Sequence, residues 1–417
     1  MLRVLVVLPF YGGSLPVGRF AVEGLREAGC LVEIFEAPSF YPAYTAIKEL
    51  KVGIRQLDAV QNSFLHFISQ AVIAKADAFA PDLVLCLAQA PLGRSALQRL
   101  RKNGVPTAMW FVEDFQLFTY WRAFAPYYDL FAVIQKEPFF SELARIGVSN
   151  VLYLPLAASP SFHRPLDLSA DERREFGAPL SFLGAGYPNR RRAFLRFRDS
   201  GMKLWGTEWD DEPGLAPMLQ RNGARISPED AVRIFNATDI NLNLHSSVNA
   251  DTLVSGGDFV NPRTFEIAAC GAFQLVDRRS LMPELFSDDE LAVFDSMDEL
   301  AALATRFAAA PDERRAYAER GRARVLAGHT YAARMRTLLD FAKERLDNFG
   351  ARTPRPWPDD MPQDMRDALG RLMQELGLPA DAGFDDVITA VRGKAEPLSD
   401  VETALLFLDE WKKLYMP

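Results

Sequence analysis

Cysteine is nearly absent: 417 residues carry three, Cys30, Cys86 and Cys270. Odd in number, widely spaced and set among apolar neighbours, they argue against a disulfide framework or a thiolate metal site and are expected as reduced core thiols. Histidine is scarce too, with four residues, and His66, His163, His245 and His329 nowhere stand at metal-ligand spacing. No Asp-x-Asp pair and no Walker loop occur, so no divalent ion or metal cofactor is indicated. No uninterrupted apolar run approaches the roughly 18 residues that a membrane span needs. Met1 to Pro9 is too short for a signal sequence and lacks a small-residue cleavage site, so a cytoplasmic chain is expected. An excess of positive charge is also missing. Lys and Arg number 47 against 55 Asp and Glu, a net −8, which argues against nucleic acid or anionic lipid as the main partner.

What is present is a globular composition, 49% hydrophobic and 24% charged, in a chain long enough for two or three domains of about 150 residues. Unbroken apolar runs alternate with helix-period segments. Strands are expected at Val4–Leu8, Leu31–Phe35, Asp82–Leu87, Thr107–Phe111, Leu130–Ile134 and Val151–Leu154. A proline-bearing connection follows, and then Leu180–Leu183, Met202–Trp205, Asp239–Leu244, Ala272–Val276 and Leu291–Phe294. Continuous rather than alternating runs fit strands buried on both faces. The fold class is therefore α/β: two tandem doubly wound Rossmann-like domains, residues 1–158 and 159–345, with the cleft between them as the default site. Residues 346–417 form a Pro-rich linker (353–362) and a helical extension. In it Met365, Leu369, Leu372 and Leu376 make one apolar stripe, and Ala404, Leu408, Trp411 and Tyr415 another, the second opened by a Ser399/Glu402 capping box. These stripes are expected to dock on the chain's own body or to make a homodimer.

The segment DFVNPRTFEIAACGAFQLVD, 258–277, carries the most chemistry. Asn261 is a good N-cap and Pro262 suits the first helical position, which predicts a helix to about Cys270, closed by Gly271. The N-terminus of that helix, with Thr264 beside the cap, offers N–H groups and a positive dipole end to an anion such as a diphosphate. Arg263 can add a bidentate contact. Glu266, one turn on, could accept hydrogen bonds from ribose or sugar hydroxyls, or merely pair with Arg263 on the helix surface. SFLGAGYPNRR, 181–191, places Gly184, Gly186 and Arg190 after a buried strand, as a weak phosphate loop or a simple tight turn. Gly12 and Gly13 follow the first strand, where doubly wound sheets bind ligands. Glu113 and Asp114 end another strand in an aromatic run, with Asp114 the better candidate for a general base and a helix cap its competing role. His245, in NLNLHS beside Asn243, is the histidine that faces the cleft and, with Asp114, a catalytic candidate; His66 suits a core position.

Together SFLGAGYPNRR, INLNLH, NPRTFEIAACGAFQLVD and HTYAARM resemble the CgeB-like, spore-maturation-type family of bacterial glycosyltransferases, over roughly residues 1–345. The resemblance implies the GT-B fold and a nucleotide sugar, most simply UDP-linked, as co-substrate held by the second domain. It implies an acceptor hydroxyl, on a glycan, a lipid-linked molecule or a protein, entering from the first. In related enzymes a glutamate at the place of Glu266 holds the donor's ribose, and another often stands where this chain has Asp258. Gly184, Gly186, Arg190 and Arg263 would meet the diphosphate and sugar, with Asn243 and His245 lining the cleft. An epimerase or hydrolase on the same scaffold, or a non-catalytic binding protein, are the competing functions.

Overall fold

Two parallel sheets frame the computed structural model, which describes residues 1–247, 251–254, 256–351, 357, 361–380, 382–394 and 396–415. The first sheet has the order β2-β1-β3-β4-β5-β6, from β1 (Arg3–Val7), β2 (Leu31–Phe35), β3 (Leu83–Leu87), β4 (Thr107–Phe111), β5 (Leu130–Val133) and β6 (Val151–Tyr153). The second has the order β11-β10-β9-β7-β8, from β7 (Ala178–Leu183), β8 (Lys203–Trp205), β9 (Thr238–Asn243), β10 (Gln274–Asp277) and β11 (Ala292–Phe294). Each expected strand forms, with ends shifted by about two residues at most. Every residue of β1, β3, β4 and β5 is buried, because helices cover both faces of the sheet. Order reverses between β1 and β3, which places a topological switch point at their carboxyl ends.

The lobes are not separated as chain order suggests. The return helix, Tyr331–Arg345, leaves the second lobe and packs on helix α1 (Ser14–Glu27) of the first. Contact is close because Gly24 has no side chain: a Cβ there would lie 2.6 Å from the Tyr331 carbonyl carbon. Arg334 on the same helix donates to the Pro155 and Leu156 carbonyls at 2.8 and 3.3 Å and fastens the interdomain connection. One apolar core consequently joins Leu25 and Trp110 of the first lobe, Phe265 and Val276 of the second, and Met335 and Leu338 of the return helix.

Three helices, Gln363–Glu375, Phe384–Arg392 and Asp400–Tyr415, make up the extension; the middle one was not anticipated. They share a small core of Leu372, Met373, Val387 and Val391 and are tied to β1 by Arg3, which reaches Asp386 at 3.1 Å and Thr389 at 2.8 Å. The first stripe buries Leu372 but leaves Met365 60% exposed. The Ser399/Glu402 capping box forms. Its helix is nevertheless turned the other way from the expectation, with Leu408 and Trp411 exposed and Ala404 outward. Glu402 and Asp409 face inward instead, paired with Lys394 at 2.6 Å and Arg392 at 2.8 Å, and these ion pairs decide the helix's rotation. The Tyr415 side chain and most of 353–362 lie outside the described residues. Among the described residues no helix is long and apolar enough to cross a membrane.

Candidate functional site

The cleft helix forms over Pro262–Ala269, capped as expected: the Asn261 side chain accepts from the Thr264 N–H at 3.1 Å. A buried polar lattice holds it to the sheet. Asn243 Nδ2 donates to Thr264 Oγ1 at 3.0 Å and to Gln274 Oε1 at 3.1 Å, and Asn243 Oδ1 accepts from Asn261 Nδ2 at 2.7 Å. Asn243, Asn261 and Thr264 were expected to meet the donor. Their side chains are spent inside the protein, because polar groups buried this completely must satisfy one another.

His245 lies deeper in the same lattice, 1% exposed. Its Nδ1 meets Asp277 Oδ1 at 2.6 Å, and its Nε2 lies 2.9 Å from the Asn261 N–H, so the ring is the Nδ1–H tautomer with both nitrogens engaged. Burial holds the imidazole below its ordinary range against the pull of Asp277. Burial would raise the Asp277 carboxyl, but the neighbouring His245 and Arg279 hold it below the usual range. His245 is thus no free proton carrier, contrary to the expectation: it is a positioning residue that aims the start of the cleft helix. Asp277 and Arg279, paired at 3.3 Å, were not singled out in the sequence; a charged residue closing a fully buried strand was the signal.

The SFLGAGYPNRR turn is likewise structural. Gly184 accepts from the Trp209 indole at 3.1 Å, and a Cβ on Gly186 would stand 2.2 Å from the Glu208 carbonyl oxygen. These glycines admit the chain's own β8 loop rather than a phosphate. Arg190 donates Nε and Nη2 to the Leu244 carbonyl at 2.9 and 2.7 Å and Nη1 to that of Ala185 at 3.0 Å. Burial and nearby Arg263 press its pKa down to about 9. It ties two strand ends together and has little left for a ligand. Gly186→Ala is expected to cost about 1–3 kcal/mol by overpacking, read from the urea midpoint.

Arg263 and Glu266 remain. Arg263 Nε is buried without a hydrogen-bond partner, and the guanidinium is held below its usual range by burial, with Glu266 pulling the other way. Glu266 Oε1 stands 3.9 Å from His163 Nε2. His163 accepts the Ser159 N–H at Nδ1, so its proton is on the side of Glu266. The Tyr331 hydroxyl, also under the field of Glu266, is buried without a partner. Around Glu266 and His163, the Arg263 Nε and the Tyr331 hydroxyl thus keep unmet hydrogen-bonding capacity, which buried groups in a closed core rarely do. His163 lies in the proline-bearing connection between the two series of strands, where the sequence marks no site.

On the first lobe, Gly12 turns at φ +96° after β1, and Gly13 opens α1. Asp114 caps no helix: it accepts the Gln116 N–H at 2.8 Å in a local turn. Its neighbour Glu113 fits the general-base role better. Burial lifts its pKa, while bonds from Tyr120 (3.0 Å), Gln89 (2.5 Å) and Ser14 (3.5 Å) oppose the rise. The lobes touch where Gln135 Nε2 donates to Asp258 Oδ1 at 2.8 Å and Lys136 meets Glu284 at 2.5 Å. Asp258 is therefore engaged in a contact across the cleft. The three thiols are buried and free, with Cys30 pushed up to about 11 and Cys86 to about 12 by burial.

Residues 190–340 match the family model described as Glycosyl transferase-like. Spore protein CgeB of Bacillus subtilis is 27% identical over 255 residues, covering 58% of this chain and 77% of that protein. Among solved structures, Anabaena HepE in complex with UDP and glucose superposes with a TM-score of 0.57 at 10% identity, covering 82% of this chain and all (100%) of that one. Sucrose-phosphate synthase from Thermosynechococcus elongatus does so with 0.56 at 13%, covering 84% and 100%. At these identities the likeness is one of fold, and the fold is GT-B.

Proposed function

We propose that this CgeB-like glycosyltransferase moves a sugar from a uridine diphosphate carrier to an acceptor hydroxyl, with a guanidinium and a helix N-terminus in place of a divalent ion. The observation that carries the reading is Arg263 at the start of the cleft helix, whose buried Nε has no hydrogen-bond partner, with Glu266 one turn on beside His163. When the bond from the sugar's anomeric carbon to the diphosphate breaks, the electron pair stays on phosphate oxygen. Arg263 and the dipole end stand where that charge grows. The acceptor oxygen forms the new bond to that carbon as its proton passes to the Glu113 carboxylate of the first lobe. Glu266 offers two oxygens to the paired hydroxyls of a ribose, with His163 and Tyr331 behind it. The UDP complex of HepE, a protein of the same fold, supports the choice of carrier.

Thermal unfolding with UDP, GDP, dTDP and their sugars, each with and without EDTA, tests this. Ligand at one hundred times its dissociation constant adds about 2.7 kcal/mol of stability. A rise with the uridine series that survives EDTA is expected. No rise with any nucleotide overturns the donor assignment, and a rise abolished by EDTA overturns the metal-free one.

A further inference from the structure

The last helix, Asp400–Tyr415, carries its polar residues inward and its apolar ones outward. Glu402 and Asp409 are turned to the protein, 1% and 6% exposed and paired with Lys394 and Arg392, while Val401, Phe407, Leu408 and Trp411 stand 51%, 69%, 50% and 45% exposed. Successive helical residues turn by about 100°, so these four and the outward Ala404 share one stripe about 120° wide, the width by which a helix ordinarily faces a core. An apolar stripe of that breadth left to water marks an interaction surface. We propose that it is a self-association surface: the last helices of two copies of this chain pack antiparallel about a two-fold axis, and the protein forms a concentration-dependent homodimer.

The stripe complements itself in shape and in charge, and does so in the antiparallel sense. Val401, Ala404, Leu408 and Trp411 recur at spacings of three and four, as residues along a helix–helix seam do. An axis midway between Ala404 and Leu408 sets Ala404 of one copy against Leu408 of the other, and Val401 against Trp411. Each layer then joins a smaller side chain to a larger one, as interdigitated cores require. A parallel pair would lay Trp411 on Trp411 and Ala404 on Ala404, one layer overfilled and the other hollow. Charge agrees. The helix opens on Asp400, and the sequence of its last turn holds Lys412 and Lys413, so the same axis brings the acidic first turn of each copy beside the basic last turn of the other.

A lipid surface would want cations along the stripe, whereas Asp400 heads it and the chain carries a net −8. The extension is tied to the amino end of β1 through Arg3, at the edge of the sheet opposite the cleft, so pairing leaves both clefts open. A helix of 16 residues offers one helix–helix contact, smaller than the roughly 800 Å² per partner of a permanent interface, so the dimer dissociates on dilution.

Sedimentation velocity of the full chain, over about a hundredfold dilution from high micromolar concentration, tests this. The wild type is expected to pass from twice the monomer mass to the monomer mass. Leu408→Glu and Val401→Glu are expected to stay monomeric throughout, since each would trap a carboxylate between the helices. Both positions are about half exposed in the single chain (50% and 51%), so the variants fold, and an unchanged thermal midpoint at low concentration checks it. Orientation is read by mild oxidation, to which the three buried native thiols do not contribute. Val401→Cys chains mixed with Trp411→Cys chains are expected to cross-link. Val401→Cys chains alone are not, because the antiparallel axis holds the two copies of position 401 about 15 Å apart. A wild type that is monomeric at every concentration overturns the proposal, and flotation of that monomer with phosphatidylglycerol vesicles would give the stripe to lipid instead. A dimer that both glutamate variants leave intact overturns it as well. Cross-linking of Val401→Cys chains to one another, or none in the mixture, overturns the antiparallel arrangement.

Discussion

Asp277→Ala is expected to lower the free energy of unfolding by about 3–5 kcal/mol, the largest effect of any single substitution considered for this chain. The side chain is fully buried (0%) and serves three groups at once: the His245 backbone N–H at 2.9 Å, the His245 ring at 2.6 Å and Arg279 at 3.3 Å. Removing it leaves Arg279, itself 4% exposed, as a buried charge without this counter-ion, and frees the imidazole that orients Asn261. Such a loss exceeds the cost of most point changes because desolvated groups are stranded rather than a contact merely lost. Asp277→Asn should be milder, since the amide oxygen still accepts from both His245 donors. The urea midpoint with an unchanged slope is the measurement. A loss under about 1 kcal/mol for the alanine variant would show that the lattice does not hold the cleft helix.

The second large effect concerns binding rather than folding. Arg263→Ala should weaken UDP by about 1.5–3 kcal/mol, the worth of a charged hydrogen bond, or roughly ten- to a hundredfold in dissociation constant. Folding should be largely spared, because the Arg263 Nε has no hydrogen-bond partner to strand. Arg263→Lys restores charge without the planar fork and should recover only part of the loss. Calorimetric titration separates the three proteins. Equal affinity in wild type and alanine variant would take Arg263 out of the pocket and leave the helix N-terminus as the sole anion donor.

The contrast between fold and site shows what kind of information a linear sequence carries. β1, β3, β4 and β5 were legible because burial on both faces writes an uninterrupted apolar run, and the cleft helix because Asn261-Pro262 is a local signal. Direction was not legible. Asn243, His245 and Thr264 are polar residues at a strand end and a helix start, and whether such groups look into a cleft or under a helix depends on partners such as Gln274 and Asp277 that lie 31 and 32 residues from Asn243 and His245. Between Glu113 and Asp114 the choice turned on Gln89, from the loop after β3, and on the direction in which Tyr120 of their own loop folds back. The last helix was misoriented for the same reason: the charges that rotate it, Arg392 and Lys394, belong to its neighbour.

The return helix has a consequence for how the protein matures on the ribosome. α1 is translated long before the return helix, yet the surface it presents around Gly24 is covered by residues 331–345. The amino-terminal lobe therefore cannot finish folding as a unit during synthesis, and its apolar flank stays open until the other lobe has been translated. Nascent chains halted near residue 300 should be protease-sensitive throughout their first half, and those that have extruded residue 345 should resist.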